Sequence, residues 1–248
     1  MKSFKVYYIN LDKSFERRSF MEAQFRELNI PLTRMPAVYG KELSQDLLKN
    51  AKSQFNIFTH YPNLNDGEIG LTKTYFDLWK IITKQKEDYA IILEDDALLT
   101  KDFFPDLEKI LLTITENDFL DISGTKGFFK LTSNDLTTKF IIPSLQTTGQ
   151  IIGRKAAKML SHNLTTYYSP IDVLKQDVYK HKVKVFTTIK KYVSSNDENV
   201  GGTTIQQKKM PKGKKILREI FRPIWQVFSL FTYKLYRCVR NYLFYKKK

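Results

Sequence analysis

The chain is poor in cysteine and histidine and nearly devoid of acid at its carboxyl end, and each shortage removes a class of function. Cys238 is the one cysteine. It excludes an internal disulfide and any multi-cysteine zinc site, and it points to a reducing compartment. His60, His162 and His181 are too scattered to build a histidine-rich metal site. No secretory pattern opens the sequence, because Met1-Lys2-Ser3 leads directly into "FKVYYIN", so a cytoplasmic protein is expected. Residues 208–248 hold 13 Lys/Arg against the single acid Glu219, a charge of +12. The other 207 residues hold 28 bases and 25 acids, only +3, so most of the overall +15 belongs to the tail. That distribution favours a globular unit with a charged appendage over a uniformly basic nucleic-acid-binding protein.

What is present describes a folded body. Hydrophobic residues make up 42% of the chain and aromatics 14%, which suits a globular protein and not a disordered one. "FKVYYI" (4–9) reads as a buried strand and residues 14–29 as a helix with Phe20, Phe25 and Leu28 toward the core. "LTRMPAV" is a second short strand that ends before Gly40. A long helix begins at Gly67, followed by strand "YAIIL" (89–93), helical "FFPDLEKILLTI", strand-like "FLDIS", a helix over 153–164 and a late strand over 183–189. Strands separated by helices predict an α/β fold with a mostly parallel sheet flanked by helices. Residues 1–202 form the domain, "TTIQQKKMPKGKK" (203–215) is a basic linker, and 216–248 is an amphipathic helical appendage.

In such a sheet, ligands bind beyond the carboxyl ends of the strands. Glu94, Asp95 and Asp96 lie where "YAIIL" emerges. Three adjacent carboxylates repel one another unless a cation compensates them. Oxygen ligands of this kind suit Mg²⁺ or Mn²⁺, which take one or two carboxylates together with phosphate oxygens. The alternative is a solvated loop or a helix N-terminal acid cluster. At the end of the first strand, Arg17 and Arg18 occupy the first turn of a helix, where cations oppose the helix dipole. An anion sharing that position would account for them, as would a salt bridge to Asp12, Glu16 or Glu22. Together the two strand ends suit a metal–diphosphate ligand.

Six segments occur in an order that resembles glycosyltransferase family 25, the lipopolysaccharide and lipooligosaccharide glycosyltransferases similar to the collagen galactosyltransferases. They are "VYYINLDKSFERR", "RMPAVYGKEL", "GEIGLTKTYFDLW", "YAIILEDDALL", "GRKAAKML" and "PIDVLKQD", within residues 4–200. The resemblance implies a GT-A type, Rossmann-like nucleotide-sugar transferase. It places Mn²⁺ or Mg²⁺ on Glu94 and Asp96, with Asp95 toward the donor diphosphate. It also places Asn10, Leu11, Asp12, Arg17 and Arg18 near the nucleotide. The implied reaction moves galactose from UDP-galactose to a lipid-linked lipooligosaccharide acceptor of a bacterium. One departure stands out: the family's Cys is Leu71 here, and its Ser-His pair is Thr74-Tyr75.

Inverting transfer needs a carboxylate to take the acceptor's proton, on a different element from the metal site. Asp172 at the start of "IDVLKQD" is the first candidate, with Asp177 a turn later. Glu68 at the start of the long helix competes with it. Asp172 and Glu68 can equally serve as N-terminal helix acids. "SSNDENVGGTT" is a candidate loop over the donor or an ordinary surface loop.

In the tail, Arg218, Arg222, Gln226, Ser229, Tyr233, Arg237 and Arg240 form one polar stripe at helical spacing. The longest uncharged run there, Pro223 to Tyr233, has 11 residues, too few to span a bilayer. A basic, aromatic-rich amphipathic helix is expected to hold the protein on the inner face of the cytoplasmic membrane through anionic lipid. The alternative is packing on the body or on a partner subunit. The rival functions are a catalytically impaired membrane-associated binding protein and a basic nucleic-acid-binding protein. The near-neutral body and the carboxylate cluster argue against the second.

Overall fold

The computed structural model describes residues 2–53, 64–144 and 146–202 and the single positions 224 and 231. An eight-stranded sheet runs through the body in the order β2-β1-β3-β8-β5-β9-β7-β6. Its strands are β1 (Phe4–Asn10), β2 (Leu32–Pro36), β3 (Tyr89–Glu94), β5 (Asp118–Asp121), β6 (Phe128–Ser133), β7 (Thr137–Ile142), β8 (Gly149–Gly153) and β9 (Lys184–Thr188). A separate pair joins β4 (Ala97–Leu99) to β10 (Val193–Ser195).

The parallel βαβ expectation holds for β2, β1 and β3. β8 then enters antiparallel between β3 and β5, and β7 lies antiparallel to β9. Six strands therefore share one direction and two oppose it. The sheet is mixed because β8 and β7, neither of them predicted as a strand from the sequence, run against the others, β8 as a central strand.

The strands read as near-continuous apolar runs because both faces of the sheet are covered. Tyr7, Ile9, Ile92, Ile152 and Val185 pack under α3 (Asp66–Ile82) and α5 (Arg154–Asn163). Val6, Tyr8, Ile91, Ile151 and Leu120 pack under α1 (Phe15–Leu28) and α4 (Phe103–Leu112). Helix α1 corrects one expectation. Its buried stripe is Arg17, Met21 and Phe25, at steps of four, while Leu28 is exposed and Phe20 is half-buried. The core-facing stripe thus carries an arginine at its amino-terminal end.

Short helices α2 (Gln45–Ser53), α6 (Ile171–Leu174) and α7 (Val178–His181) complete the body. Among the described residues, no helix is long and apolar enough to cross a membrane. The linker 203–215 lies outside the described residues. So does the helix expected over 216–248, apart from Ile224 and Phe231, both helical and exposed.

Candidate functional site

"IILEDDALL" is a strand, a two-residue turn and a second strand. β3 ends at Glu94, Asp95 and Asp96 make the turn, and β4 resumes at Ala97. β10 holds β4 through three cross-strand pairs, so the acidic turn is pinned from both sides. Beside it opens a cleft of about 150 Å³ at the carboxyl ends of β1 and β3. Its lining includes Leu11, Arg17, Tyr39, Gly40, Leu71, Glu94, Asp95, Asp96 and Asp197.

One wall is built by two glycines. A Cβ on Gly40 would stand 1.7 Å from the Asp66 carbonyl oxygen, and one on Gly70 would stand 2.4 Å from that of Val38. Only glycine lets the first turns of α3 press against the chain after β2. Thr74 fastens this contact: its hydroxyl accepts the Val38 N–H at 2.8 Å and donates to the Gly70 carbonyl at 2.9 Å. Asn65 and Glu68 cap α3 reciprocally, each side chain accepting the other's backbone N–H at 2.8 Å. Glu68 is therefore placed as a helix-capping acid, next to Gly67 of the cleft lining.

The three acids have different surroundings. Asp95 is buried, and both its oxygens are engaged, Oδ1 by Arg17 Nη1 at 2.5 Å and Oδ2 by Asn10 Nδ2 at 2.8 Å. Arg17 also donates to the carbonyls of Val200 at 3.2 Å and Gly202 at 2.6 Å. All three of its donor nitrogens thus face inward, and they draw residues 200–202 against the cleft. Asp96 accepts from Ser195 Oγ at 2.5 Å through Oδ2, while its Oδ1 is buried and has no hydrogen-bond partner among the described residues. Glu94 Oε1 accepts from Thr147 Oγ1 at 2.7 Å. Burial first, and Asp96 second, push the Glu94 carboxyl up to about 7.

The remaining sequence candidates surround this centre. Asn10 Oδ1 accepts from Arg34 Nε at 3.1 Å and, more weakly, from Arg18 Nε at 3.5 Å. The exposed Asp12 carboxylate pairs with Arg34 and lies 3.9 Å from Arg18 Nη2, which donates to the Asp12 carbonyl at 3.0 Å. Lys13 Nζ stands 3.6 Å from the centre of the Tyr39 ring, and Lys13 first, then Lys41, hold that phenol below its ordinary range. Lys13 and Lys41 neighbour the lining residue Tyr39 and form no ion pair among the described residues.

Asp172, half-buried on α6, accepts the N–H of Val173 at 3.0 Å. It is close enough to help raise Glu94 and Tyr75. Asp177 lies apart, accepting Tyr168 Oη at 2.6 Å. The "SSNDENVGG" loop does border the cleft: Asn196 donates its N–H to the Asp96 carbonyl at 2.8 Å, and Asp197 lines the opening.

Sequence reasoning did not find Ser195, Thr147, Gln150 or Lys175. Tyr75, where the resembled family carries histidine, is fully buried, accepting Gln150 Nε2 at 2.7 Å. Burial and then Glu94 push its phenol well above the ordinary range, so it stays neutral. Near Thr147 lies a buried pair, Lys175 Nζ on Asp121 Oδ2 at 2.9 Å. Lys175 also donates to the Gln146 carbonyl, and Ser144 Oγ donates to Asp121 at 2.5 Å. These residues come from separate elements with no shared motif, so no sequence signal joins them.

Among the described residues, no group of three or more His, Cys, Asp or Glu is arranged to hold a metal ion. The turn nevertheless fits a cation that keeps phosphate and water ligands, because one or two carboxylates suffice for it. The orphaned, buried Asp96 Oδ1 supplies the first, and Glu94 stands beside it. Asp95 does not fit as a ligand while Arg17 and Asn10 occupy both its oxygens.

The profile of glycosyltransferase family 25 (LPS biosynthesis protein) matches residues 3–175. The lipooligosaccharide biosynthesis protein lic2B of Haemophilus influenzae is 24% identical over 261 residues, covering 88% of this chain and 95% of that protein. A glycosyltransferase 25 family member of Drosophila melanogaster is 32% identical over 111 residues, 43% of this chain and 18% of that one. Procollagen galactosyltransferase 1-B of Xenopus laevis is 31% identical over 100 residues, 37% of this chain and 16% of that one. The match thus spans less than a fifth of the insect and frog proteins' length.

Proposed function

The chain belongs to glycosyltransferase family 25, and on that premise we propose that it is a glycosyltransferase that moves galactose from UDP-galactose to a lipid-linked lipooligosaccharide acceptor, with inversion. The observation that carries this reading is the cleft lined by Glu94, Asp95 and Asp96 at the carboxyl end of β3, where Asp96 Oδ1 is buried without a hydrogen-bond partner among the described residues. A carboxylate oxygen in that condition is costly unless a ligand meets it.

Asp96, with Glu94, would hold Mn²⁺ or Mg²⁺, which supplies Lewis-acid stabilisation of the departing diphosphate. Asp95 positions. Bound to Arg17 and Asn10, it ties α1, β1 and residues 200–202 to the acidic turn. Leu11, Tyr39 and Leu71 offer the nucleoside apolar contact, and Lys13 and Lys41 offer its phosphates positive charge. Asp172 accepts the proton as the acceptor oxygen bonds to the anomeric carbon and the bond to the diphosphate oxygen breaks. Glu68 caps α3, which favours Asp172 over it as the base. The acceptor's lipid anchor and the basic stripe of residues 216–248 would bring enzyme and substrate together on an anionic membrane surface.

Titration calorimetry with UDP tests the reading. Wild type is expected to bind UDP only with Mn²⁺ or Mg²⁺, and Asp96→Ala to lose that binding. Asp172→Asn should bind UDP normally while kcat falls by about 10²–10⁴, as loss of a positioned base does. UDP binding by Asp96→Ala equal to wild type, or a product of retained anomeric configuration, would overturn it.

A further inference from the structure

The far edge of the sheet is unlike the rest of the surface. Every residue of β6, Phe128 to Ser133, is exposed. Three of them are large and apolar: Phe128 is 61% exposed, Phe129 65% and Leu131 50%. Other exposed apolar side chains of the body are scattered singly, as is ordinary, whereas three within four positions make a patch. Phe129 has φ +55°, a left-handed conformation that a bulky residue adopts only under constraint. The result is two adjacent aromatic side chains on the surface at the sheet's edge, instead of one turned into it.

The patch is basic. Lys126 and Lys130 are exposed within and just before β6. Lys139 on β7 is held below its ordinary range by partial burial and then by Lys184 on β9. None of these four lysines forms an ion pair among the described residues. Asp135, in the hairpin turn, and Asp118, which partly offsets Lys139, are the acids nearby in the chain or in its field.

Two occupants compete for an exposed edge strand: a second strand, or a surface that needs no backbone pairing. The edge argues against a strand. Pairing of β6 with β7 slips between Lys130 and Thr132, and Phe129 departs from extended backbone, so the outer row of N–H and C=O groups is irregular. Bulges and lysines are devices by which edges refuse further strands. Exposed aromatics interleaved with unpaired lysines instead suit a lipid interface, where rings enter the headgroup layer and bases meet anionic phosphates. We propose that the β6–β7 hairpin docks on an anionic lipid bilayer, inserting Phe128, Phe129 and Leu131, as a contact separate from residues 216–248. This stands whether or not the sugar assignment is right.

The test uses the full chain with its one cysteine moved: Cys238→Ser with Phe129→Cys, labelled with acrylodan, and a control labelled through Lys158→Cys on α5. Vesicles of phosphatidylcholine alone and with phosphatidylglycerol are added. The hairpin label is expected to shift to the blue with the anionic vesicles only, and the α5 label to stay unshifted. In the unlabelled chain, Phe128→Ser/Phe129→Ser and Lys126→Glu/Lys130→Glu should each weaken anionic-vesicle partitioning at least about tenfold, with Tm unchanged. No shift at the hairpin, an equal shift at both labels, or partitioning unchanged in both double variants would overturn the proposal. A blue shift that grows with protein concentration without vesicles, with dimer in sedimentation, would also overturn it, in favour of a second copy.

Discussion

Arg17 Nη1 meets Asp95 Oδ1 at 2.5 Å, both side chains buried, across 78 residues of chain. The pair joins the first turn of α1 to the acidic turn after β3, and Arg17's other donors hold the backbone at 200 and 202. It gives the arginine a structural partner within the protein in addition to any anion in the cleft. Arg17→Met should destabilise the fold by about 3–5 kcal/mol, because it leaves Asp95 buried with a single neutral partner. Arg17→Met/Asp95→Asn should recover part of that loss in urea unfolding, and strictly additive effects of the two changes would contradict the coupling.

Lys13 and Lys41, beside the cleft residue Tyr39, have no carboxylate partner among the described residues. Lys13→Met/Lys41→Met should weaken UDP binding about tenfold, as loss of charge-assisted phosphate contacts does. Uridine, which has no phosphate, should bind the variant as it binds wild type. Calorimetry with the two ligands separates a phosphate contact from a damaged nucleoside pocket.

Lys175 and Asp121 are both buried, with Ser144 and Gln146 drawn in around them. Lys175→Met strands the Asp121 carboxylate and should cost about 3–5 kcal/mol. Lys175→Met/Asp121→Leu removes both charges and should be more stable than the single variant by denaturant melting. If the pair also positions Thr147, and through it Glu94, the double variant regains stability without regaining full kcat.

His181 makes stability depend on pH. Its Nδ1 accepts the Val183 N–H at 3.1 Å, so Nε2 carries the proton and donates to the Lys175 carbonyl at 3.0 Å. Burial lowers its pKa from 6.5 to about 4. Above pH 6.5 neither state is protonated and the linkage contributes nothing. As pH falls from 6.5 to 4 the unfolded chain takes up a proton that the folded one refuses, a loss of roughly 2–4 kcal/mol. His181→Gln should be less stable than wild type at pH 7.5, yet lose less between pH 7.5 and 5 in urea titrations.

What was legible in the sequence was what depends on local pattern. Alternating apolar runs and amphipathic stretches made β1, β3, β5, β9 and the four longer helices readable, because strands covered on both faces must be apolar throughout. The acids at 94–96 and the bases after β1 were visible as charges at strand ends. Tertiary structure decided their pairing. Two residues of the acidic run have opposite conditions, Asp95 saturated and Asp96 with an orphaned oxygen, because α1 brings Arg17 to one and β10 brings Ser195 to the other. No spacing rule links position 17 to 95 or 195 to 96. β8 was hidden for the same reason: five residues ending where the helix over 153–164 is expected to begin carry too short a pattern, and only pairing with Ile91 and Leu120 on its two neighbours makes it a central strand. Short-range periodicity reports which face is buried, whereas a site assembled from distant strand ends depends on contacts that become defined only when the sheet closes.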